Sequence, residues 1–282
     1  VTTRIGGRRA PASAPAARSI MLTRIISGLV LLALVVPVVV MLPAWATVAL
    51  AAVVIVLAAH EFVGLTAPSA GMLETAPVIA ATLATGLALA GDAPVEVVLL
   101  ATLIAIGALA VGLERPDERA LRRVGVALAS PVYIGVPFGA ILALRVEFGA
   151  WALLAGLLTV MASDVFQYFG GRALGRNLLA PVVSPKKTIE GAACGVAASA
   201  LVLPLLGRWW LPDAGATPLA ALGAVMALVG IVGDLFESLV KRSAGVKDSS
   251  ELIPGHGGML DRVDSLLFGV PVLYVALRFA LP

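Results

Sequence analysis

The sequence predicts an all-α, polytopic integral membrane protein of about nine transmembrane helices, with its N-terminus in the cytoplasm. Three observations carry this prediction. Of the 282 residues, 60% are hydrophobic and only 13% are charged, about half the ~25% charged share of soluble domains. The mean hydropathy is +1.03, which implies more apolar surface than one soluble core can hide. Apolar runs near the ~20 residues needed to cross a bilayer recur along most of the chain, and Lys and Arg gather on one side of the resulting topology.

Breaks at charged, Gly and Pro clusters place the spans near 23–42, 44–65, 73–91, 94–113, 124–145, 149–170, 188–207, 216–240 and 262–281. Pro37, Pro131, Pro137 and Pro271 fall inside spans and are expected to kink them. Residues 1–20 carry Arg4, Arg8, Arg9 and Arg18 and no acid, which predicts a disordered, Arg-rich cytoplasmic tail. Residues 21–282 read as a single membrane-embedded domain without an internal repeat. Ala44-Trp45-Ala46 resembles a signal-peptidase site, but the apolar run Ile25–Leu42 exceeds the ~7–15 residues of a signal h-region. A retained span is expected there. The lone cysteine, Cys194, excludes an internal disulfide and a Cys-based metal site.

With the N-terminus inside, only Arg145, Arg208 and Arg278 of the 20 Lys and Arg residues fall on the opposite side. The acids follow the same bias. Glu61, Asp164, Glu190, Asp234 and Asp261, with Glu237 and Asp264 one turn along, sit in or beside spans, all toward their cytoplasmic ends. Ionisable groups at such depths are functional candidates by default.

Two of these places share a pattern. Asp234-Leu-Phe-Glu237-Ser238 and Asp261-Arg-Val-Asp264-Ser265 both read Asp-x-x-acid-Ser. On a helix, positions i, i+3 and i+4 share a face, so each stretch presents two carboxylates and a hydroxyl. Two such faces packed together make an all-oxygen pocket suited to Mg²⁺ with substrate phosphates; the plainer alternative is capping or ion pairing with Lys241, Arg242 and Arg262. The loop between them holds Lys247, Asp248, His256, Gly257 and Gly258. Its glycines permit close backbone approach, and their N–H groups suit an anion. His256 reads as a proton donor, a phosphate contact or a structural turn residue.

A second polar loop, 170–191, contains Ser184-Pro185-Lys186-Lys187. Ser184 reads as a helix N-cap with Pro185 at the first position. Lys186 and Lys187 would then lie in the first turn, against the helix dipole, an arrangement that makes sense if an anion docks there. Arg172 and Arg176 could add to that site, or the whole group could simply mark the cytoplasmic face.

These residues resemble a known family. The stretch 238–265, with Ser238, Lys241-Arg242, Lys247-Asp248, Pro254, His256-Gly257-Gly258 and Asp261-Arg262-Val263-Asp264, is similar to the signature of phosphatidate cytidylyltransferases. The stretches around Asp164 and Ser184 look like that family's other polar segments, although Asp164 is followed by Val-Phe-Gln-Tyr where an Ala-Tyr pair is usual. The resemblance is strongest from about 160 onward. It implies conversion of CTP and phosphatidic acid to CDP-diacylglycerol and pyrophosphate, in the inner membrane of a bacterium.

It also implies Mg²⁺ held by Asp234 and Asp261, possible use of K⁺, and a homodimer. The implied catalytic set is Asp234, Asp261, Lys187 and Asp264. The implied substrate contacts are Ser184, Lys186, Lys187, Arg172, Lys241, Arg242, Lys247, Asp248, His256, Gly257, Gly258, Arg262 and Asp164. The partners are the two substrates and the bilayer; no nucleic-acid partner is expected. An ion-coupled carrier is the main rival, but carriers place their sites near the midplane and commonly carry repeats. A CDP-alcohol phosphatidyltransferase is disfavoured because the chain has no Asp-Gly pair.

Overall fold

A computed structural model describes residues 30, 33–68, 72–113, 120–253 and 257–281. The predicted tail, Arg24, Arg115, Arg119, Pro254 and His256 lie outside the described residues. After a helical segment at 33–40, the chain forms α1 (Ala44–Thr66), α2 (Met72–Ala90), α3 (Val95–Leu113) and α4 (Ala120–Ser130). A π-helical turn (Pro131–Gly135) leads into α5 (Val136–Leu174), followed by strands β1 (Leu178–Ala180) and β2 (Ser184–Thr188). The chain closes with α6 (Ile189–Trp210), a 3-10 turn (Pro212–Ala214), α7 (Ala216–Ser243) and α8 (Leu260–Phe279).

The result is an α-helical membrane protein. Among the described residues, five stretches are long and apolar enough to cross a bilayer: 44–66, 95–112, the continuous 120–174, 189–210 and 216–243. The continuous stretch contains two of the predicted runs. Helix α5 bends at Gly149, whose φ of +89° interrupts the helix, at the first residue of the span expected over 149–170. Only glycine takes this conformation without strain. Pro131 opens the π-helical turn, where its missing N–H cannot complete an ordinary helical ladder.

Helices α5 to α8 make the most extensive contacts, with α1 and α2 packed against α5. The core is aliphatic and includes Ile55, Leu142, Leu203, Met226, Leu260 and Leu273, each essentially inaccessible to solvent. At the α5–α6 crossing, a Cβ on Gly191 would lie 2.7 Å from the Gln167 carbonyl, and one on Gly195 would lie 2.8 Å from that of Ser163. This Gly-x-x-x-Gly spacing lets the two backbones approach closely.

The hairpin corrects one expectation. Ser184, Pro185, Lys186 and Lys187 are not the start of a helix; they lie in β2, antiparallel to β1. The helix starts one turn later, where Thr188 Oγ1 caps Gly191 N at 3.1 Å. Glu190 then occupies the first turn, the sign the helix dipole favours, and accepts from Arg176 N, Asn177 N and Asn177 Nδ2. Lys186 and Lys187 therefore never meet the positive end of the dipole from within the helix.

Candidate active site

The site forms where the lower parts of α5, α7 and α8 meet the hairpin. Strand β2 alternates its side chains: Lys186 is exposed, while Lys187 is half-buried and forms an ion pair with Asp234 Oδ2 on α7. The other oxygen of Asp234 is lightly held, with Ser238 Oγ at 3.4 Å. Asp264 on α8 and Asp164 on α5 lie within electrostatic reach of Asp234 and of each other. Ser265 Oγ crosses from α8 to Asp164 Oδ1 at 3.3 Å, and Gln167 Nε2 donates to the same oxygen at 3.2 Å. Arg262 is exposed near Asp164.

Asp261 occupies a different setting. Its Oδ2 accepts from Gly258 N, Ser249 N and Ser249 Oγ, all at 2.8 Å. Its Oδ1 receives Lys241 Nζ at 2.5 Å. Lys241 also pairs with Glu237, which is fully buried. The i, i+3 pattern thus brings both faces together, but each aspartate faces its own lysine: Asp234 with Lys187, and Asp261 with Lys241.

Several sequence-derived candidates stand further out. Arg242 is exposed and donates to the Val246 carbonyl at 2.9 Å, closing the end of α7. Lys247 and Asp248 are exposed on the loop that follows. Arg172 is exposed and turned along its own helix toward Tyr168 Oη, at 3.4 Å. Ser184 is half-buried and pairs with Ala180 in the hairpin.

The two glycines have steric reasons. Gly257 has φ +78°, and a Cβ there would lie 2.5 Å from Asp261 Oδ2. A Cβ on Gly258 would collide with Ser249 Oγ and with the carboxylate of Glu61. The sequence marked Glu61 as a functional candidate by its depth but gave it no specific role or partner. It is buried at the end of α1 and accepts from Ser249, Ser250, Met259 and Leu260. Its visible signal was a carboxylate near the end of an otherwise apolar helix. Tyr133, in the π-helical turn, was missed. Its buried ring packs on Phe62, Phe236 and Phe268, linking α1, α7 and α8 behind the acids.

The donor set is chemically suited to a hard cation. Asp164 and Asp234 share the Lys187 ammonium, Asp264 lies within reach of Lys241, and all three present only oxygen. Among the described residues, no three His, Cys, Asp or Glu side chains converge closely enough to make a ready-made metal site. Mg²⁺ typically takes one or two carboxylates and completes its shell with water and substrate phosphate.

Comparison with known proteins identifies the group. Residues 22–280 match the model of the cytidylyltransferase family. The chain belongs to that family. A Helicobacter pylori protein named phosphatidate cytidylyltransferase is 37% identical over 186 residues, 66% of either chain. A Synechocystis protein of the same name is 45% identical over 136 residues, 48% of this chain and 45% of the relative. A Pseudomonas aeruginosa protein, again so named, is 44% identical over 129 residues, 45% of this chain and 47% of the relative. The matched part of this cytidylyltransferase-family chain thus spans just under two thirds of the first relative's length and about half of the others'.

Proposed function

We propose that the protein is a phosphatidate cytidylyltransferase that joins CTP and phosphatidic acid into CDP-diacylglycerol and releases pyrophosphate. The observation that carries this reading is the Lys187–Asp234 ion pair between the hairpin and α7, with Asp164 and Asp264 within electrostatic reach of Asp234. It provides facing carboxylates, an ammonium and a polar loop at the ends of membrane helices, where a nucleotide and a lipid headgroup can meet.

The attacking group is a phosphate oxygen of phosphatidic acid, already anionic near neutral pH. A new bond forms from it to the α-phosphorus of CTP, and the bond from that phosphorus to the bridging oxygen of the β-phosphate breaks. No strong base is required; the obstacle is repulsion between two anions, so positioning and charge neutralisation dominate. Asp234 and Asp261 would hold Mg²⁺, Asp261 through the Oδ1 that Lys241 otherwise occupies, with Asp164 and Asp264 beside them. When bound, the metal supplies Lewis-acid polarisation of the α-phosphate and the leaving pyrophosphate. Lys187 neutralises phosphate charge once it leaves Asp234, and Arg262 adds charge at the open side. Lys241 keeps the buried Glu237 compensated while Asp261 Oδ2 stays anchored by the loop.

The finer topology belongs to the same proposal: nine spans, a cytoplasmic N-terminus, and a site on the cytoplasmic face of a bacterial inner membrane. It is supported by the gathering of acids and bases at one end of the helices. K⁺ use and a homodimer remain part of the same family-based reading. The test is pyrophosphate release by purified protein in detergent with phosphatidate, comparing CTP, dCTP, ATP and GTP with and without Mg²⁺. Metal-dependent release from cytidine nucleotides is expected; release that ignores the base or the lipid would overturn the reading.

A further inference from the structure

We infer that Glu61 is a positioning residue: from α1 it holds the signature loop and the start of α8, and through Ser249 it sets the orientation of Asp261. Glu61 is only 7% exposed. Its Oε1 accepts from Ser250 Oγ at 2.7 Å and Met259 N at 2.9 Å. Its Oε2 accepts from Ser249 Oγ and Leu260 N, both at 2.8 Å. Each of these four partners belongs to the segment 249–260, nearly two hundred residues away in sequence.

The need for this contact is visible in α8 itself. The helix begins without a side-chain cap of its own. The first N–H groups of any helix lack intrahelical partners, and here two of them, at Met259 and Leu260, turn to a carboxylate from another helix. A carboxylate is also the group that the positive end of the helix dipole favours. Asp261 lies in the first turn of that helix, so the direction of its side chain follows from how the helix start is held.

Ser249 completes the link. Its Oγ lies 2.8 Å from Glu61 Oε2 and 2.8 Å from Asp261 Oδ2. One hydroxyl proton serves one acceptor at a time, so the hydroxyl couples the two carboxylates. The paired glycines make room for this arrangement: Gly257 for the carboxylate of Asp261, Gly258 for that of Glu61. Glu61 thus acts on the site from outside it and touches no reacting atom.

The inference rests on the phosphatidate cytidylyltransferase reading for its kinetic assay, so the test pairs kinetics with hydrogen exchange of the peptide covering 257–261. Glu61→Gln replaces an acceptor with a donor facing other donors. It is expected to speed exchange in that peptide and to lower kcat about tenfold or more, since small misplacements cost that much, while KM for CTP stays within about threefold. Ser249→Ala is expected to do the same more mildly. The double variant is expected to match Glu61→Gln alone, because contacting residues acting through one link are not additive.

Unchanged exchange together with kcat within about twofold of the parent protein in Glu61→Gln would overturn the inference. If that variant does not fold, Ser249→Ala decides by the same two readouts. If the parent protein is inactive on CTP and phosphatidate, the functional reading fails, and exchange alone decides the role of Glu61.

Discussion

The two ends of α8 carry charge in opposite ways. At its start, Asp261 and Asp264 join Glu61, Glu237, Asp234 and Asp164, and the two lysines that reach them are Lys187 and Lys241. At its end, roughly 27 Å along the axis at 1.5 Å per residue, Arg278 binds Glu147 and Asp92, each at 2.8 Å, and lies over the ring of Tyr274. The second cluster is open to solvent, with the Asp92 side chain 71% exposed. It joins the α2–α3 turn, the kinked part of α5 and the end of α8, and it needs nothing further. The first cluster buries Glu237 completely and leaves its carboxylates outnumbering its ammonium groups. Water can complete an exposed cluster, whereas a buried excess of carboxylates calls for a cationic partner.

The largest effect that tests this contrast is expected from Lys241→Met. It strands Glu237 in the interior beside Asp261, and breaking a buried pair in this way costs about 3–5 kcal/mol. Thermal unfolding in detergent should show the loss, and Lys241→Met with Glu237→Leu should recover much of it. If Lys241→Met unfolds at the parent temperature, the inner cluster is no more demanding than the outer one. Next comes Asp234→Asn, which preserves shape and removes charge. It should lower kcat by about 10²–10³-fold, the scale for losing one preorganised electrostatic group, with unchanged unfolding. Near-parent turnover would remove Asp234 from the chemistry.

The same contrast explains what could be read in advance. The helices were legible because hydropathy and Gly or Pro breaks are local signals, and the kink at Gly149 falls where one of the expected spans begins. The paired Asp-x-x-acid-Ser faces were legible because helical spacing is local too. The hairpin was not. Ser184-Pro185 satisfies the usual helix-start chemistry, yet the pairing of Leu178 with Thr188 and the Thr188 cap displace the start by a turn. Glu61 was visible only as an odd charge, since its partners lie at 249–260. No pattern within α1 announces a bond to a distant helix start.

The strand also sharpens the contrast, because it separates two adjacent lysines. Lys187 faces Asp234 and Lys186 faces away. Lys187→Ala should reduce kcat/KM by about 10–100-fold, a loss in the range of one or two charge-assisted hydrogen bonds. Lys186→Ala should shift it far less, and mainly at low ionic strength, where exposed charges act over longer distances. Equal losses would mean that both lysines serve one diffuse basic surface rather than a directed contact.

The smallest effect belongs to the outer cluster. Arg278→Gln removes the centre of the Asp92–Glu147–Tyr274 group, yet each partner it leaves can be rehydrated. Exposed ion pairs contribute little to stability, so the unfolding temperature should fall slightly and turnover should stay at the parent level. Added salt should shrink the difference further. A large loss of turnover in Arg278→Gln would show that the far end of α8 is coupled to its start, most directly through a shift of the whole helix on α5. The division between a structural end and a chemical end would then have to be abandoned.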